Sequence, residues 1–308
     1  MRRVGARVKM NPETMTIEEL RREGLRLYYA RALDEALPYF DRALELAGDD
    51  ETRDLLTINK ASVHIALEQV SPEVQALPAI IMRRRALRGL AAYHLAAKFE
   101  NEKDYARARF YLEIALDAAD ETGDERLRVV TTIDLGNMCV YDSRPAEAID
   151  YYERALALIA EGAVMAAAGE HEVQLWAAFA TQNLGYCRVI GDRPEDGIPL
   201  LHRALEMLAS CEGGAYTAEP HLDLCLGYFE LGKLEEARLH GEIGLREAVE
   251  DRQIRNAHYL LGEVAYTLGD TAGAEYHFDQ LAQYYPDFPQ LRNLLFAIDL
   301  RKIVNFKL

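Results

Sequence analysis

One pattern recurs along this chain and limits what it can fold into. A small residue is followed four positions on by an aromatic residue or Leu, and three further on by an Ala-Leu pair or a close variant. It occurs as Ala36, Phe40, Ala43-Leu44, as Ala108, Leu112, Ala115-Leu116, as Ala148, Tyr152, Ala155-Leu156, and as Gly197, Leu201, Ala204-Leu205. A thinner copy is Ala237, Gly241, Gly244-Leu245, and a full one is Ala274, Phe278, Leu281-Ala282. Spacings of four and three place these residues on one helical face. Thirteen positions before each leading residue a second pattern ends, at Glu23-Gly24, Leu95-Ala96, Leu135-Gly136, Leu184-Gly185, Leu224-Cys225 and Leu261-Gly262. Recurrence of a two-helix pattern predicts a stack of similar units and not one globular core.

Small residues where the first pattern meets the second let two helices approach closely. Gly191-Asp192, Leu231-Gly232-Lys233 and Gly269-Asp270 supply turns between them. Together these features resemble the tetratricopeptide repeat, a helix–turn–helix unit, over roughly residues 17–288. Residues 255–288 fit best, down to the closing Pro286. The resemblance implies an all-α, right-handed superhelical solenoid of antiparallel helix pairs. Units are expected near 17–50, 89–122, 129–162, 178–211, 218–251 and 255–288. In 51–88, Pro72 and Pro78 interrupt the helical pattern, so a degenerate unit is expected there. Residues 1–16 read as a disordered N-terminal extension and 289–308 as a C-terminal capping helix built on Leu291, Leu294, Leu295 and Ile298.

The leading residues are unevenly spaced, so several units have lengthened helices or loops. An insertion from Glu161 to Glu172 predicts two extended helices around a loop near Gly169. Such lengthened units resemble those of bacterial peptide-sensing regulators and of some motor-cargo adaptors.

Composition narrows the function class. The formal net charge of −16, from 51 acidic and 35 basic residues, opposes nucleic-acid binding. Arg83-Arg84-Arg85 with Arg88 is one dense basic patch, too small for a nucleic-acid footprint, and reads as a solvated face answering nearby acids. No apolar run suits a signal peptide or a membrane span. Four scattered cysteines without a CxxC pair fit reduced thiols, and a cytoplasmic location is expected.

Catalytic and metal motifs fail on inspection. Gly227 to Lys233 fits a phosphate-binding loop, but Leu234 stands where Mg²⁺ ligation needs Ser or Thr, and no strand precedes it. His221 and Cys225 lie four apart without a second pair, and Glu170-His171-Glu172 lacks a second His. The chain is therefore read as a non-enzyme with no cofactor and no metal.

In tetratricopeptide proteins the first helix of each unit lines a concave groove. Transferred by alignment, the resemblance implies a peptide- or protein-binding surface of Tyr93, Asn137, Tyr141, Gln182, Tyr186, Tyr259, Glu263 and Tyr266, with Asn183 and Asn256 adjoining. Arg21, Tyr28, Tyr29 and Glu230 occupy equivalent positions. Amides pair with both backbone N–H and C=O, and Tyr adds stiff amphipathic area, which suits an extended peptide. The tyrosines have a second reading, packing between repeats. No Lys stands at the positions of the family's carboxylate clamp, so that role is not expected. The function expected is a protein- or peptide-binding scaffold. Two alternatives are a regulatory peptide receptor whose superhelix changes pitch on binding, and a self-associating array, a homo-oligomer built through the terminal helix.

Overall fold

The computed structural model describes residues 12–211, 216–288 and 290–297. Its organising feature is one backbone turn used seven times. In each helical hairpin a single residue adopts the left-handed conformation: Arg31, Glu68, Lys103, Ser143, Asp192, Gly232 and Gly269, with φ between 56 and 79°. The next residue's N–H then reaches back to a carbonyl inside the first helix. Examples are Gln69 to His64 at 2.8 Å, Arg144 to Cys139 at 2.8 Å and Asp270 to Ala265 at 2.9 Å. This Schellman closure satisfies carbonyls that the helix end would otherwise leave unpaired. It also reverses the chain within a few residues, so the two helices must pack antiparallel.

The chain divides into two units, Met1–Thr131 and Thr132–Leu308. In unit 1 the hairpins are α1 (Ile17–Tyr29) with α2 (Leu33–Leu46), α3 (Asp50–Ala66) with α4 (Pro72–Arg83), and α5 (Arg88–Asn101) with α6 (Tyr105–Thr122). The boundary falls within α7 (Glu125–Tyr141). Unit 2 holds the end of α7 with α8 (Pro145–Ala160), then α9 (Ala163–Ala168), and α10 (Glu170–Ile190) with α11 (Pro194–Ser210). Next come α12 (Ala218–Glu230) with α13 (Leu234–Glu247), α14 (Asp251–Leu268) with α15 (Thr271–Ala282), and α16 (Leu291–Ala297). No strand occurs among the described residues.

Side-chain size decides how closely each hairpin closes. A Cβ on Gly24 would fall 2.7 Å from the Phe40 ring, one on Gly136 2.7 Å from Tyr152, and one on Gly185 2.9 Å from Leu201. Gly262 faces Phe278 still more tightly. In each pair the large partner lies sixteen positions after the glycine and is fully buried. The α12/α13 hairpin inverts the sizes: Cys225 is the larger member, with its Sγ 3.0 Å from where a Cβ on Gly241 would stand. Gly227, two residues after Cys225 and so on the opposite side of the helix, faces Ile198 and Val189 of the preceding hairpin. The crossing point of this hairpin is therefore Cys225, and not the Leu226-Gly227 pair.

The segment 51–88, read as degenerate from its prolines, contains the complete hairpin α3/α4. Pro72 occupies the first turn of α4, where its missing N–H costs nothing, and the Ser71 side chain accepts from the Val74 N–H at 3.3 Å as N-cap. Ala61 and Leu77, fully buried, repeat the sixteen-residue offset. The insertion after α8 also differs from expectation. Gly162, at φ 81°, ends α8, and α9 forms a separate short helix. Gly169, at φ 83°, then begins the 21-residue α10. Only one helix is markedly lengthened, because two left-handed glycines break the other.

At the N-terminal side, Pro12–Thr14 forms a 3₁₀ turn, Met15 is buried in the first core cluster, and Thr16 closes a capping box with Glu19. Positions 1–11 of the expected extension lie outside the described residues. At the other end α16 buries Leu291 and Leu295. It sets Phe296 edge-on to Phe278 at 5.1 Å and ties Arg292 to Asp279 at 2.7 Å. Positions 298–308 of the expected capping helix lie outside the described residues.

Candidate functional site

In unit 2 the first helices of successive hairpins carry polar residues on a common stripe, and side chains bond from one helix to the next. Asn183 of α10 donates its Nδ2 to the Asn137 Oδ1 of α7 at 3.1 Å. That same oxygen accepts the Tyr152 hydroxyl at 2.8 Å, while the Asn137 amide nitrogen donates to Asp134 at 3.1 Å. Gln182 of α10 donates Nε2 to Asp223 of α12 at 3.0 Å. Arg252 of α14 grips Glu219 of α12 through both terminal nitrogens, at 2.8 and 3.3 Å, and Gln253 adds a third donor at 3.3 Å. The result is a polar ladder running α7, α10, α12, α14.

Helical periodicity explains the alignment. Gln182 and Tyr186 are one turn apart on α10, as are Glu219 and Asp223 on α12, and Arg252 and Asn256 on α14. Tyr186, Glu219, Asp223 and Asn256 converge on a cleft of ≈ 10 Å³, floored by Leu222, Leu226 and Leu260. That volume accommodates about one water molecule.

Gln182 and Asp223 are each 5% exposed, so their bond is screened weakly and losing either partner would strand the other. Burial lowers the Arg252 pKa, but the charge and hydrogen bonds of Glu219 outweigh it, and the guanidinium stays protonated. Burial holds Tyr152 and Tyr186 well above the usual phenol range, so both are neutral hydrogen-bonding groups. The ladder therefore presents chiefly hydrogen-bonding capacity.

Of the expected groove residues, the structure brings Asn137, Gln182 and Asn183 onto the ladder and sets Asn256 at its cleft. Tyr186 lines its cleft with a ring only 1% exposed, so it packs between hairpins and offers little contact area. Tyr259 and Glu263 are likewise buried on α14, and Tyr141 is half-buried at the end of α7. Tyr266 is exposed but sets its ring edge-on to Phe296 of α16 at 5.7 Å, on the face the terminal helix covers. Tyr93 belongs to unit 1, where its ring meets His94 edge-on at 5.6 Å. Also in unit 1, Arg21 reaches Asn59 at 3.1 Å and Arg126 reaches the Tyr29 hydroxyl at 3.0 Å.

Sequence reasoning missed Asp134, Glu219, Asp223 and Arg252. Charged residues are so common on solvated helices that none stands out until a partner helix is placed beside it. One signal was present: Glu219, Asp223, Leu226 and Glu230 share a helical face.

The other motifs resolve into structure. Gly232 and Lys233 form the α12/α13 turn, with Lys233 5.8 Å over the Tyr228 ring. Arg83 and Arg84 both bind Asp54, and Arg85 lies 3.4 Å from Glu121. Among the described residues no group of three or more His, Cys, Asp or Glu is placed to hold a metal ion, and no helix is long and apolar enough to cross a membrane.

No protein-family model and no curated protein matches the sequence. Solved structures do match in fold. NprR in complex with its cognate peptide NprX aligns with a TM-score of 0.67 at 12% identity, over 94% of this chain and 84% of that one. The apo form of RapI aligns with a TM-score of 0.65 at 13% identity, over 88% and 77%. A tetratricopeptide repeat protein from Parabacteroides merdae aligns with a TM-score of 0.54 at 11% identity, over 91% and 97%. The fold is therefore that of tetratricopeptide-repeat proteins.

Proposed function

We propose that this chain is a non-catalytic peptide-binding scaffold whose ligand lies along the first helices of unit 2. The observation that carries this reading is the ladder from Asn137 to Arg252, a row of amides and charges bonded across four helices. An extended peptide offers N–H and C=O groups along its length, and Asn side chains satisfy both at once. Asn183 and Asn256 are half-buried where their ladder neighbour Gln182 is buried, so of these amides they are the more accessible to a ligand. The likeness in fold to NprR, solved with its cognate peptide, supports the same class of ligand.

The test is selection of binders from a random-peptide display library, with affinities then measured by fluorescence anisotropy. Asn183→Ala with Asn256→Ala is expected to weaken a selected peptide about tenfold or more, roughly 1.4 kcal/mol. The variant's thermal midpoint serves as the control for folding. Unchanged affinity in the folded double variant would reject the ladder as the site.

The regulatory alternative draws on the same observation. Because the ladder bonds join successive hairpins, a ligand that replaces them alters how the hairpins stack, and small shifts add along a repeat array. X-ray scattering with and without a selected peptide separates the two readings: unchanged dimensions at saturation favour a static scaffold.

A further inference from the structure

Five of the chain's eight histidines fall between residues 202 and 277, and four form two matched pairs. His221 on α12 and His240 on α13 place their Nδ1 atoms 2.9 Å apart. His258 on α14 and His277 on α15 place theirs 3.0 Å apart. Each pair joins the first and second helices of one hairpin. In both, the first histidine lies one turn before the crossing residue, Cys225 or Gly262. The second immediately precedes that residue's partner, Gly241 or Phe278.

The same two positions in other hairpins hold Leu20 and Tyr39, Ala92 and Tyr111, Thr132 and Tyr151, and Thr181 and Leu200. None of those combinations joins two histidines. The substitution of imidazole for imidazole-free packing is confined to α12/α13 and α14/α15.

An Nδ1 to Nδ1 contact at this distance is a hydrogen bond only if one ring donates and the other accepts. The accepting ring must then be neutral, while the donor ring is either the neutral Nδ1–H tautomer or an imidazolium. Protonating both rings removes the acceptor and sets two like charges about 3 Å apart. From this geometry we infer that the two pairs are acid-sensitive clasps, closing the last two hairpins while at least one imidazole of each pair is neutral and loosening them when both are protonated.

The surroundings favour the neutral form. Burial is the leading cause at all four rings. At His221 the Glu247 carboxylate opposes burial, while His202 of α11 and Arg246 reinforce it. His221 and His202 push His240 down further, to about 4. His277 is also pushed to about 4, by burial and then by His258, with Asp270 opposing. The rings around the first pair are His202, 5.6 Å from His240, and Tyr228, stacked on His240 at 5.4 Å and bonded to His202 at 2.9 Å. Tyr276 lies edge-on to His258 at 6.3 Å.

Depressed folded-state values mean that the unfolded chain binds protons more tightly. The clasps' contribution is complete above the ordinary histidine value of 6.5 and declines as the pH falls towards 4. Most carboxylates stay ionised over the upper part of that range, which isolates the histidine effect.

The experiment is amide hydrogen exchange of the full chain at pH 7.5 and pH 5.0, corrected for intrinsic rates. At pH 5.0 protection in α12 to α15 is expected to fall about tenfold or more relative to α5 and α6. An equal change in both regions would overturn the inference. His240→Gln with His277→Gln keeps a neutral hydrogen-bonding side chain at each clasp and is expected to flatten the difference; a difference of undiminished size would also overturn it. Nitrogen-15 titration of the wild-type rings gives an independent reading, with the midpoints of all four histidines expected below 6.5. Midpoints at or above 6.5 would refute the clasp whether or not the variant folds.

Discussion

The hairpins α14/α15 and α3/α4 turn in the same way but are held shut differently. In α14/α15 the Phe278 ring lies against Gly262, and the paired His258 and His277 add a bond between neutral side chains. In α3/α4 a smaller crossing of Ala61 and Leu77 is supplemented by charge. Asp54 accepts from Arg83 and, at 2.7 Å, from Arg84, and Lys60 lies 2.7 Å from Glu73. A close aromatic crossing leaves a recognisable pair of residues behind, whereas ion pairs draw on residue types found on every solvated helix. The fold therefore depends on the turn and on a small-to-large crossing, not on one set of side chains.

Truncating the crossing side chain tests that difference most strongly. Phe278→Ala is expected to cost about 3–5 kcal/mol and Leu77→Ala about 2–4 kcal/mol, because both side chains are fully buried and the cavity left by Phe is larger. Urea denaturation of each variant measures the two costs. Equal losses would show that the aromatic crossing contributes nothing beyond an aliphatic one.

A smaller effect is expected on the other side of the same contact. Gly262→Ala places a methyl group into the Phe278 ring and is expected to cost about 1–3 kcal/mol through displacement of that ring. A neutral result by thermal denaturation would mean that the hairpin opens to admit a methyl group and that the approach is not constrained.

The smallest expected effect concerns the shared turn, and its sign differs between the hairpins. Glu68 holds a left-handed conformation at φ 56° where Gly269 holds one at φ 79°. Glu68→Gly relieves strain while increasing unfolded-state freedom, for a net gain of about 0.5 kcal/mol, and Gly269→Ala is expected to cost about 1 kcal/mol. The two thermal midpoints should therefore move in opposite directions.

These contacts explain what could be read in advance. Gly24, Gly136, Gly185 and Gly262 announce close crossings because only Gly fits beneath Phe40, Tyr152, Leu201 and Phe278. The α3/α4 hairpin was obscured because its turn is built from backbone hydrogen bonds, which even Glu68 supports, and because Pro72 starts a helix and does not end one. The candidate site was legible in its amides. Asn137, Asn183 and Gln182 all make cross-helix bonds, but their partners Asp223 and Tyr152 required knowledge of which helix lies alongside. Tyr186 and Tyr259 were expected on the groove yet are buried, because a first helix has neighbours on both flanks and a large ring is drawn between them.

All four cysteines, Cys139, Cys187, Cys211 and Cys225, lie in unit 2, and all are buried. Burial pushes the Cys225 thiol up to about 12, so in the closed hairpin it carries almost no thiolate at neutral pH. Alkylation must then wait for the protein to open. The size inversion that set a sulfur against Gly241 thus gives the molecule an internal clock: a thiol reagent registers openings of unit 2 and is blind to those of unit 1.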